Sequence, residues 1–536
     1  MKLSSEGIMD KSLWNEKGYS IPTYNREMVI DLTKKEPTWI HFGAGNIFRA
    51  FQSNVVERLL QSGKLGRGII VVEGYDTEII DVAYRKQDNL SILITLKGNG
   101  TVEKKVVGSV VESLKADPKE EVDFARLKEI FKKTSLQMVS FTITEKGYSL
   151  VDASGEFLGS VVEDFENGPK EPCSYIGKVA TLLYERYLAN KLPIAMVSMD
   201  NCSHNGTKLY DAIHKFATMW ENQGLVTEGF LSYVEDKEKV SFPWSMIDKI
   251  TPRPDDSVKK MLIDDGILGM EPVVTQKHTY VAPFVNAEES EYLVIEDWFP
   301  NGRPNLEEGG VIFTNRETVD QVEKMKVCTC LNPLHTALAV FGCLLSYTKI
   351  SEEMKDKTLK KLVERIGYEE GMPVVVDPKI MNPRDFLKTV LEERIPNPFM
   401  PDTPQRIASD TSQKIAIRYG ETIKAYLASK TLDVNNLICI PLVFAGWCRY
   451  LMGLDDQGNV FERSPDPRIP DICKFADAIT FGEEVDAHKV LSEILSDETI
   501  FGVDLYEIGM AKKVEEYFTE MVSGKGAVKA TLEKYV

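Results

Sequence analysis

WIHFGAGNIFRAFQ, residues 39–52, is the stretch that decides how the first half of the chain folds. WIHF (39–42) predicts a short buried strand, and apolar residues that recur every three or four positions over 47–63 predict a helix behind it. Gly43 permits the tight turn after the strand, and Gly45 lets backbone amides approach a pyrophosphate. Because the helix would present its N-terminus to that anion, the stretch predicts a dinucleotide-binding turn.

The glycine pattern of this turn is incomplete, because Phe48 stands where a third glycine is usual. A bare G-x-G is common, so an ordinary glycine-rich turn is the alternative, although the flanking strand and helix favour a nucleotide. At the end of the next predicted strand, VVEGYD (71–76) supplies Glu73 and Asp76. A carboxylate there would bond a ribose 2′-hydroxyl and repel a 2′-phosphate. NAD is therefore the expected cofactor and NADP the alternative, unless Glu73 is a plain surface acid.

The rest of the first half alternates apolar runs with amphipathic stretches. Strands are predicted at 39–42, 68–76, 90–96, 105–113, 136–144 and 193–200, and helices at 47–63 and 175–191. This rhythm of strand, helix and strand predicts an α/β N-terminal domain of the Rossmann type with a mostly parallel sheet.

The second half shows helical periodicity and few strands. Helices are predicted at 331–347, 354–369, 384–395, 414–430, 437–453 and 487–497. A segment rich in Pro, Gly and Asn, 294–310, lies between the halves. The sequence therefore predicts an NAD(P)-binding domain over 1–290 and a mainly α-helical substrate and catalytic domain over 291–536.

Composition limits the partners of the chain. The 536 residues are 43% hydrophobic and carry a net charge of −18, which disfavours nucleic acid and anionic membranes. No signal peptide or run of eighteen apolar residues is evident, and the eight cysteines form no C-x-x-C pair. A reduced, cytoplasmic protein that binds a small molecule is expected, either as a monomer or as a small homo-oligomer.

A second functional segment is KMKVCTCLNPLH, residues 324–335. Cys328 and Cys330 could ligate zinc, but structural zinc sites need two to four residues between ligands and a second pair elsewhere. No such pair is present in the sequence, so we expect no metal site and interpret the two thiols as packing groups.

The same segment holds groups that can handle a proton. Hydride transfer to a ketone leaves an alkoxide, which a buried lysine such as Lys326 could protonate while Asn332 and His335 hold the oxygen. Pro333 suits a helix start, so Asn332 could instead be a simple helix cap. His335 could be a core histidine and Lys326 a solvated lysine, and spacing alone does not decide between these readings.

Several blocks together resemble one family, the polyol-specific long-chain dehydrogenases, also called the mannitol dehydrogenase family. The similar blocks are GAGNIFRAFQ (43–52), SFTITEKGY (140–148), MDNCSHNG (199–206), MIDKITPRP (246–254), IEDWFPNGRP (295–304) and KMKVCTCLNPLH (324–335). The resemblance implies a metal-independent, NAD(P)-dependent oxidoreductase of secondary alcohols with a Rossmann-type domain and a helical domain.

The resemblance also implies roles for individual residues. Lys326 would be the general acid and base, Asn201 and Asn332 would polarise the substrate oxygen, and His335 would orient a hydroxyl. The remaining implied residues are Glu323 for proton shuttling, Asp248, Arg406 and Lys414 for the substrate, and Gly43, Gly45, Asn46, Phe48, Glu73 and Thr144 for the cofactor.

One spacing departs from the family pattern. Five residues separate Lys326 from Asn332, where the family usually has four. Either a bulge in the helix absorbs the extra residue, or Lys324 is the lysine that matches. The spacing of Glu323 to Lys326 fits the family and favours Lys326.

The substrate is predicted from overall likeness. We expect the interconversion of a keto-sugar acid and a sugar acid, of the D-fructuronate and D-mannonate type. The alternatives are a mannitol 2-dehydrogenase acting on a neutral polyol, a tagaturonate reductase, and an NAD-binding regulatory protein without catalysis. Arg418 is a further basic residue that could meet a carboxylate.

Overall fold

The structure is a computed structural model that describes all 536 residues, Met1–Val536. The chain forms two compact units: the first comprises Met1–Lys97 and Thr101–Asp320, and the second comprises Gly98–Gly100 and Gln321–Val536. The predicted combination of an α/β domain with a helical domain is confirmed. The units divide after Asp320 rather than at the predicted 290/291, because two further strands complete a sheet of the first unit.

The first unit contains all of the named strands. They are β1 Tyr19–Ser20, β2 Trp39–Phe42, β3 Ile69–Glu73, β4 Ser91–Leu96, β5 Val102–Val107, β6 Val110–Lys115, β7 Met138–Phe141, β8 Ile194–Ser198, β9 Val240–Ser241, β10 Ser245–Asp248, β11 Val273–Val274, β12 Tyr280–Val281, β13 Phe284–Glu288, β14 Tyr292–Glu296 and β15 Val311–Thr314. Its helices are α1 Lys11–Glu16, α2 Arg26–Lys35, α3 Ser53–Gln61, α4 Glu78–Ala83, α5 Glu121–Phe131, α6 Gly159–Asn167, α7 Tyr175–Leu188, α8 Asn205–Asn222, α9 Phe230–Glu235 and α10 Asp256–Asp264, and α11 Arg316–Met325 begins in it.

A six-stranded parallel sheet forms the centre of the first unit. Its strand order is β6-β3-β2-β7-β8-β9, which is the doubly wound order of dinucleotide-binding domains. β2, β3, β7 and β8 are buried along their whole length, as expected for strands covered by helices on both faces. In such sheets ligands bind where the strands end, and Gly43 and Glu73 stand at the ends of β2 and β3.

Smaller sheets complete this unit. Their orders are β1-β5-β4-β13, β10-β14-β15 and β11-β12. The single strand predicted over 105–113 is two strands that belong to different sheets, and Gly108 and Ser109 interrupt it. A Cβ atom at Gly108 would lie 2.9 Å from Cγ of Pro22, so glycine suits the close approach at this break.

The second unit is helical and has no named strand. Its helices are α12 Asn332–Leu344, α13 Ile350–Glu353, α14 Lys357–Arg365, α15 Pro383–Thr389, α16 Pro404–Ile407, α17 Glu421–Ala428, α18 Cys439–Tyr450, α19 Ile469–Ile472, α20 Ala487–Leu495, α21 Glu498–Phe501, α22 Ala511–Val522 and α23 Ala527–Tyr535. Almost all residues of α12 and α18 are buried, which makes these two the central helices. π-helical turns occur at Lys326–Cys330, Ile366–Gly371, Val390–Arg394 and Ala416–Gly420.

The helical stretch Arg316–Leu344 is long and apolar enough to cross a membrane by length and composition. In the folded chain, 78% of its most apolar window is buried inside the protein. Core helices of globular proteins meet the same criterion, so the stretch is weak evidence for a span.

Candidate active site

A cavity of about 910 Å³ opens at the carboxyl ends of β2, β3 and β7 in the first unit. Four of the predicted cofactor residues line it: Gly43, Gly45, Glu73 and Thr144. The other two do not. Phe48 is fully buried and stacks on the ring of His41 with centroids 4.5 Å apart, and Asn46 is bonded to Arg49 and to the carbonyl of Pro252.

The two glycines of the turn have different reasons to be glycine. Gly43 has a φ of +115°, and a Cβ atom there would lie 2.2 Å from the carbonyl oxygen of Thr142. A Cβ atom at Gly45 would meet nothing within 4 Å. Gly43 therefore allows the turn to fold, whereas Gly45 leaves open space beside the backbone. This space on the cavity wall fits the close approach of a dinucleotide pyrophosphate.

The helix predicted over 47–63 begins with an irregularity. Residues Phe48–Gln52 form a π-helical turn, and α3 follows from Ser53. Arg49 lies on this turn and is fully buried; its Nη1 donates to the carbonyl of Ala282 at 2.5 Å and its Nη2 donates to Oδ1 of Asn46 at 2.9 Å. Neither acceptor is charged, so no carboxylate neutralises the guanidinium through these bonds. The bond to Asn46 connects this buried cation to the glycine turn. The sequence analysis missed Arg49, although it lies within the quoted motif.

Glu73 organises the end of β3. Its Oε2 accepts from the amide of Ala44 at 3.0 Å, and its Oε1 accepts from the amides of Gly74, Tyr75 and Asp76 at 3.0, 2.8 and 3.3 Å. Burial raises the pKa of this carboxyl, and the four amides oppose that shift. Glu73 is therefore not a plain surface acid: it ties its own loop to the glycine turn on the cavity wall.

Two further predicted residues of the first unit stand at or just after the ends of strands that belong to different sheets. Asn201 is exposed and follows β8 by three residues, and Asp248 is the last residue of β10 and is buried. Asp200, which precedes Asn201, accepts the amides of Ile143 and Thr144 at 2.9 Å. The loops after β7 and β8 are therefore joined beside the cavity.

Lys326, in the second unit, is only 3% exposed and is the first residue of a π-helical turn. The amide of Leu331 donates to the carbonyl of Lys326 at 3.1 Å, a bond that spans five residues instead of the four of an α-helix. A π-helical turn holds one residue more than an α-helical turn, so it accommodates the extra residue between Lys326 and Asn332. A bulge is therefore present between Lys326 and Asn332, where the sequence analysis gave it as one of two alternatives.

α12 carries the next two predicted residues. Its N-cap position is Leu331, and Asn332 is already helical, so the interpretation of Asn332 as a helix cap is wrong. No side-chain hydrogen bond caps this helix at Leu331. His335 lies three positions further along and donates its amide to the carbonyl of Leu331 at 3.1 Å. Asn332 and His335 are therefore on one side of α12, and Glu323 stands one turn before Lys326 on α11.

The predicted basic pair of the second unit, Arg406 and Lys414, has one exposed member and one half-buried member. Arg406 has a side chain that is 65% exposed and pairs with Asp402. Lys414 is half-buried; its Nζ donates to the carbonyl of Ser409 at 2.5 Å, and burial together with the Arg418 cation lowers its pKa. The two residues therefore differ in how strongly the fold holds them.

Arg418 is the basic residue that the fold brings to the predicted cluster. Its Nη1 donates to Oγ1 of Thr336 at 2.5 Å, one position after His335. Burial lowers the pKa of this guanidinium, since the side chain is largely removed from solvent. Its spacing, one turn after Lys414, was the signal available in the sequence.

The two cysteines of the segment differ in burial. Cys330 is buried, its Sγ lies 3.7 Å from the carbonyl of Pro383, and burial raises its pKa to about 12. Cys328 is half-buried. No group of three or more His, Cys, Asp or Glu side chains is arranged to hold a metal ion.

Comparison with known proteins gives a consistent result over the whole chain. The model of the mannitol dehydrogenase Rossmann domain matches residues 37–308, and that of the mannitol dehydrogenase C-terminal domain matches residues 318–522. The chain is 52% identical to D-mannonate oxidoreductase of Thermotoga maritima, over 100% of this chain and 99% of that relative. It is 29% identical to mannitol 2-dehydrogenase of Cereibacter sphaeroides, over 89% and 92% of the two chains.

Solved structures agree with the sequence relatives. Pseudomonas fluorescens mannitol 2-dehydrogenase, in a ternary complex with NAD and D-mannitol, superposes with a TM-score of 0.70 at 26% identity and covers 100% of this chain and 99% of that one. A substrate-free D-sorbitol dehydrogenase gives a TM-score of 0.79 at 25% identity, over 96% and 97% of the two chains. By both domain models and by full-length relatives, the chain belongs to the mannitol dehydrogenase family.

Proposed function

We propose that the chain is an NAD-dependent D-mannonate oxidoreductase, which reduces D-fructuronate to D-mannonate and catalyses the reverse oxidation. The observation that carries the proposal is the 52% identity, over the full length of both chains, to a relative with that name. The broader class has further support, since the other relatives are dehydrogenases of sugar alcohols. The reaction is thus the reduction of a ketone to a secondary alcohol.

The cofactor proposal rests on the cavity of the first unit. The open space beside Gly45 suits a pyrophosphate, and Oε2 of Glu73, which holds only one amide, can accept a ribose 2′-hydroxyl. The related mannitol 2-dehydrogenase was solved with NAD. We expect NADH to be preferred over NADPH, because a 2′-phosphate would lie against the Glu73 carboxylate.

Lys326 is the proposed proton donor of the second unit. When NADH is bound it supplies the hydride, and the reduced carbonyl carbon then carries an alkoxide oxygen that needs one proton. The Lys326 ammonium gives that proton, and in the reverse direction the neutral amine takes it from the hydroxyl. Glu323, one turn away on α11, is proposed to pass the proton between Lys326 and solvent.

The remaining residues are proposed to hold the substrate. The amides of Asn201 and Asn332 would donate to the carbonyl oxygen and stabilise the developing negative charge. His335 would orient a neighbouring hydroxyl, and Asp248, Arg406 and Lys414 would bind the rest of the sugar chain. These assignments come from the family resemblance, and the burial of Lys326 and the position of Asn332 and His335 on one side of α12 support them.

Arg418 favours an acidic substrate over a neutral polyol. Its guanidinium is buried, donates to Thr336 next to His335, and makes no ion pair with a carboxylate. Guanidinium groups bind carboxylates with paired hydrogen bonds, so Arg418 is suited to the carboxylate of a hexuronate. Mannitol 2-dehydrogenase activity is the second candidate, because several relatives near 29% identity carry that name.

Steady-state rates with NADH distinguish the two candidates. We expect kcat/KM for D-fructuronate to exceed that for D-fructose and for D-tagaturonate by at least about tenfold, the discrimination of one well-made ionic contact. Comparable values for fructose and fructuronate would identify a polyol enzyme. Saturable NADH binding without turnover of any keto-sugar would identify a regulatory protein.

We further propose that the enzyme acts in the cytoplasm as a monomer or small homo-oligomer. All eight cysteines are free, which suits a reducing compartment. Size-exclusion chromatography with light scattering measures the oligomeric state directly.

A further inference from the structure

Thr144 has a backbone conformation that its side chain disfavours. Its φ is +65° and its ψ is 159°, a region that is occupied almost only by glycine. Threonine is β-branched, so the cost is greater than for most residues. The residue is exposed and lines the 910 Å³ cavity. A strained residue on the wall of the cofactor cavity must be held in place by its surroundings.

Asp200 is the group that holds it. One carboxylate oxygen accepts the amide of Thr144 at 2.9 Å, and the other accepts the amide of Ile143 at 2.9 Å and the hydroxyl of Tyr148 at 2.5 Å. The side chain is nearly buried, at 9% exposure, so these bonds are little weakened by water. Three donors therefore converge on one carboxylate that sits at the end of a different strand.

Asp200 also bonds the last residue of the turn that starts at Thr144, through the hydroxyl of Tyr148. The amide of Gly147 donates to the carbonyl of Thr144 at 2.9 Å, which closes the short helical turn Glu145–Tyr148. Tyr148 is buried, and its hydroxyl bonds both Asp200 and Oγ of Ser198, the latter at 2.7 Å. The loop after β7 is thus attached to the end of β8 at both ends of its turn.

The main chain of Asp200 is also fixed. Its carbonyl accepts Nδ2 of Asn205 at 3.0 Å, and Asn205 is in turn bonded to Ser245. Asn201 is the next residue in the chain. A shift of the Asp200 backbone would therefore displace Asn201 and the Thr144 loop together.

We propose that Asp200 is a positioning residue for hydride transfer. It holds the strained Thr144 peptide and fixes the position of this wall of the cofactor cavity relative to Asn201. The proposal rests on the proposed function only through the roles of Thr144 and Asn201. If Asp200 had a purely structural role, the effect of replacing it would not depend on the strain at Thr144. The two roles predict different behaviour when that strain is removed.

The test is a double-mutant cycle of Asp200→Asn and Thr144→Gly in the full-length enzyme. The amide of asparagine cannot accept all three donors, so Asp200→Asn is expected to lower kcat about thirtyfold and to raise the Kd for NADH about fivefold. Glycine adopts the conformation of residue 144 without strain. In the Thr144→Gly background, Asp200→Asn is therefore expected to change kcat and the Kd for NADH by about threefold or less.

Asp164 provides a matched control. It is also buried in the same unit, and its carboxylate accepts the amides of Cys173 and Ser174 at 2.7 and 2.8 Å and the hydroxyl of Ser174 at 2.5 Å. The φ of Ser174 is −75°, so Asp164 holds unstrained backbone there. Whatever loss Asp164→Asn causes, Thr144→Gly is expected to leave it unchanged.

Two readouts keep the test decisive. NADH fluorescence reports cofactor binding without any sugar, so it tests Asp200 even if D-fructuronate proves to be the wrong substrate. If Asp200→Asn does not fold, Tyr148→Phe removes one donor, with a smaller loss of about threefold that should also shrink in the Thr144→Gly background. Equal losses in both backgrounds, for NADH affinity and for kcat alike, would overturn the proposal.

Discussion

Each unit places a buried cation on a π-helical turn of its candidate site, Arg49 in the first unit and Lys326 in the second, and the two cations differ in chemistry. Arg49 lies on the turn Phe48–Gln52 behind the glycine turn, and Lys326 opens the turn Lys326–Cys330 ahead of α12. Both are almost inaccessible to solvent, at 0% and 3% exposure. π-helical turns are often found at functional sites, because the extra residue changes the direction of the side chains.

The chemistry of the two groups explains the difference. Arg49 keeps its charge, since a guanidinium remains protonated even though burial lowers its pKa, and it is fixed by Ala282 and Asn46. A lysine amine can give up one proton and take it back. A fixed charge suits binding of a pyrophosphate, and an exchangeable proton suits the reaction of an oxygen. The comparison therefore supports the proposal that Lys326 transfers a proton, whereas Arg49 contributes a fixed charge behind the glycine turn.

The strongest test of this division is Lys326→Ala. We expect kcat to fall by about 10³- to 10⁴-fold, because the only proposed proton donor is removed, while the Kd for NADH changes little. Stopped-flow rates and NADH fluorescence give the two values. Lys324→Ala is the matched control, since Lys324 is exposed and stands two residues earlier. A collapse of activity in the control instead would transfer the role to Lys324.

The glycine turn offers a matched pair on the binding side. Gly43→Ala should destabilise the first unit by more than about 1 kcal/mol, because its φ is positive and its Cβ would clash with Thr142. Gly45→Ala should leave the melting temperature unchanged, since its Cβ meets nothing, and weaken NADH binding about tenfold. Thermal melts and NADH titrations measure both. Equal stability and equal affinity losses for the two variants would contradict their separate roles.

Arg49→Met tests the fixed charge itself. We expect the affinity for NADH and for ADP-ribose to fall about fivefold, because a buried cation that is bonded to Asn46 of the glycine turn is lost, while kcat at saturating NADH stays within about twofold. Arg49→Lys retains the charge and should recover part of the affinity. If both variants bind NADH as the parent enzyme does, Arg49 serves packing alone.

A smaller effect is expected at Glu353, which lies near the C-terminal end of α12. Glu353 is fully buried beside Gly342, neither carboxyl oxygen has a hydrogen-bond partner, and burial raises its pKa to about 10. The native carboxyl keeps its proton up to that pH, whereas the unfolded chain loses it near the ordinary value of 4.5. Raising the pH between these values therefore removes stability.

Glu353→Gln removes that dependence. Urea unfolding of the variant at pH 6 and pH 9 should show a smaller loss of stability than the parent enzyme, with activity unchanged. Glu370→Gln is the contrasting control, because Glu370 accepts the amides of Ile438, Cys439 and Ile440 at the start of α18. Its loss should destabilise the second unit at both pH values.

The sequence pattern predicted those parts of the candidate site that depend on a few consecutive residues. The strand, the turn and the helix around Gly43 and Gly45 follow from a few consecutive residues, and β2 has the predicted bounds. The π-helical turn after Lys326 was foreseen only as one of two ways to accommodate an extra residue. The cap interpretation of Asn332 placed the start of α12 one residue too late, because side-chain preferences do not fix a helix boundary to a single residue.

The contacts that join distant segments could not be predicted in this way. Asp200 reaches Thr144 across 56 residues, and Arg418 reaches Thr336 across 82 residues. No periodicity or spacing marks either pair, since each depends on how strands and helices pack together.

The amino-acid order alone predicted the Rossmann-type first unit and the helical second unit, which are confirmed, and it predicted the dinucleotide turn and the role of the lysine segment. Each of these depends on short-range periodicity and on residues with special backbone conformations. Only tertiary structure decided that Glu73 binds its own loop, that Asn46 and Phe48 do not line the cavity, and that Asp200 accepts the amide of Thr144. Such hydrogen bonds and packing contacts form when distant parts of the chain are buried against each other, so their partners are set by the fold.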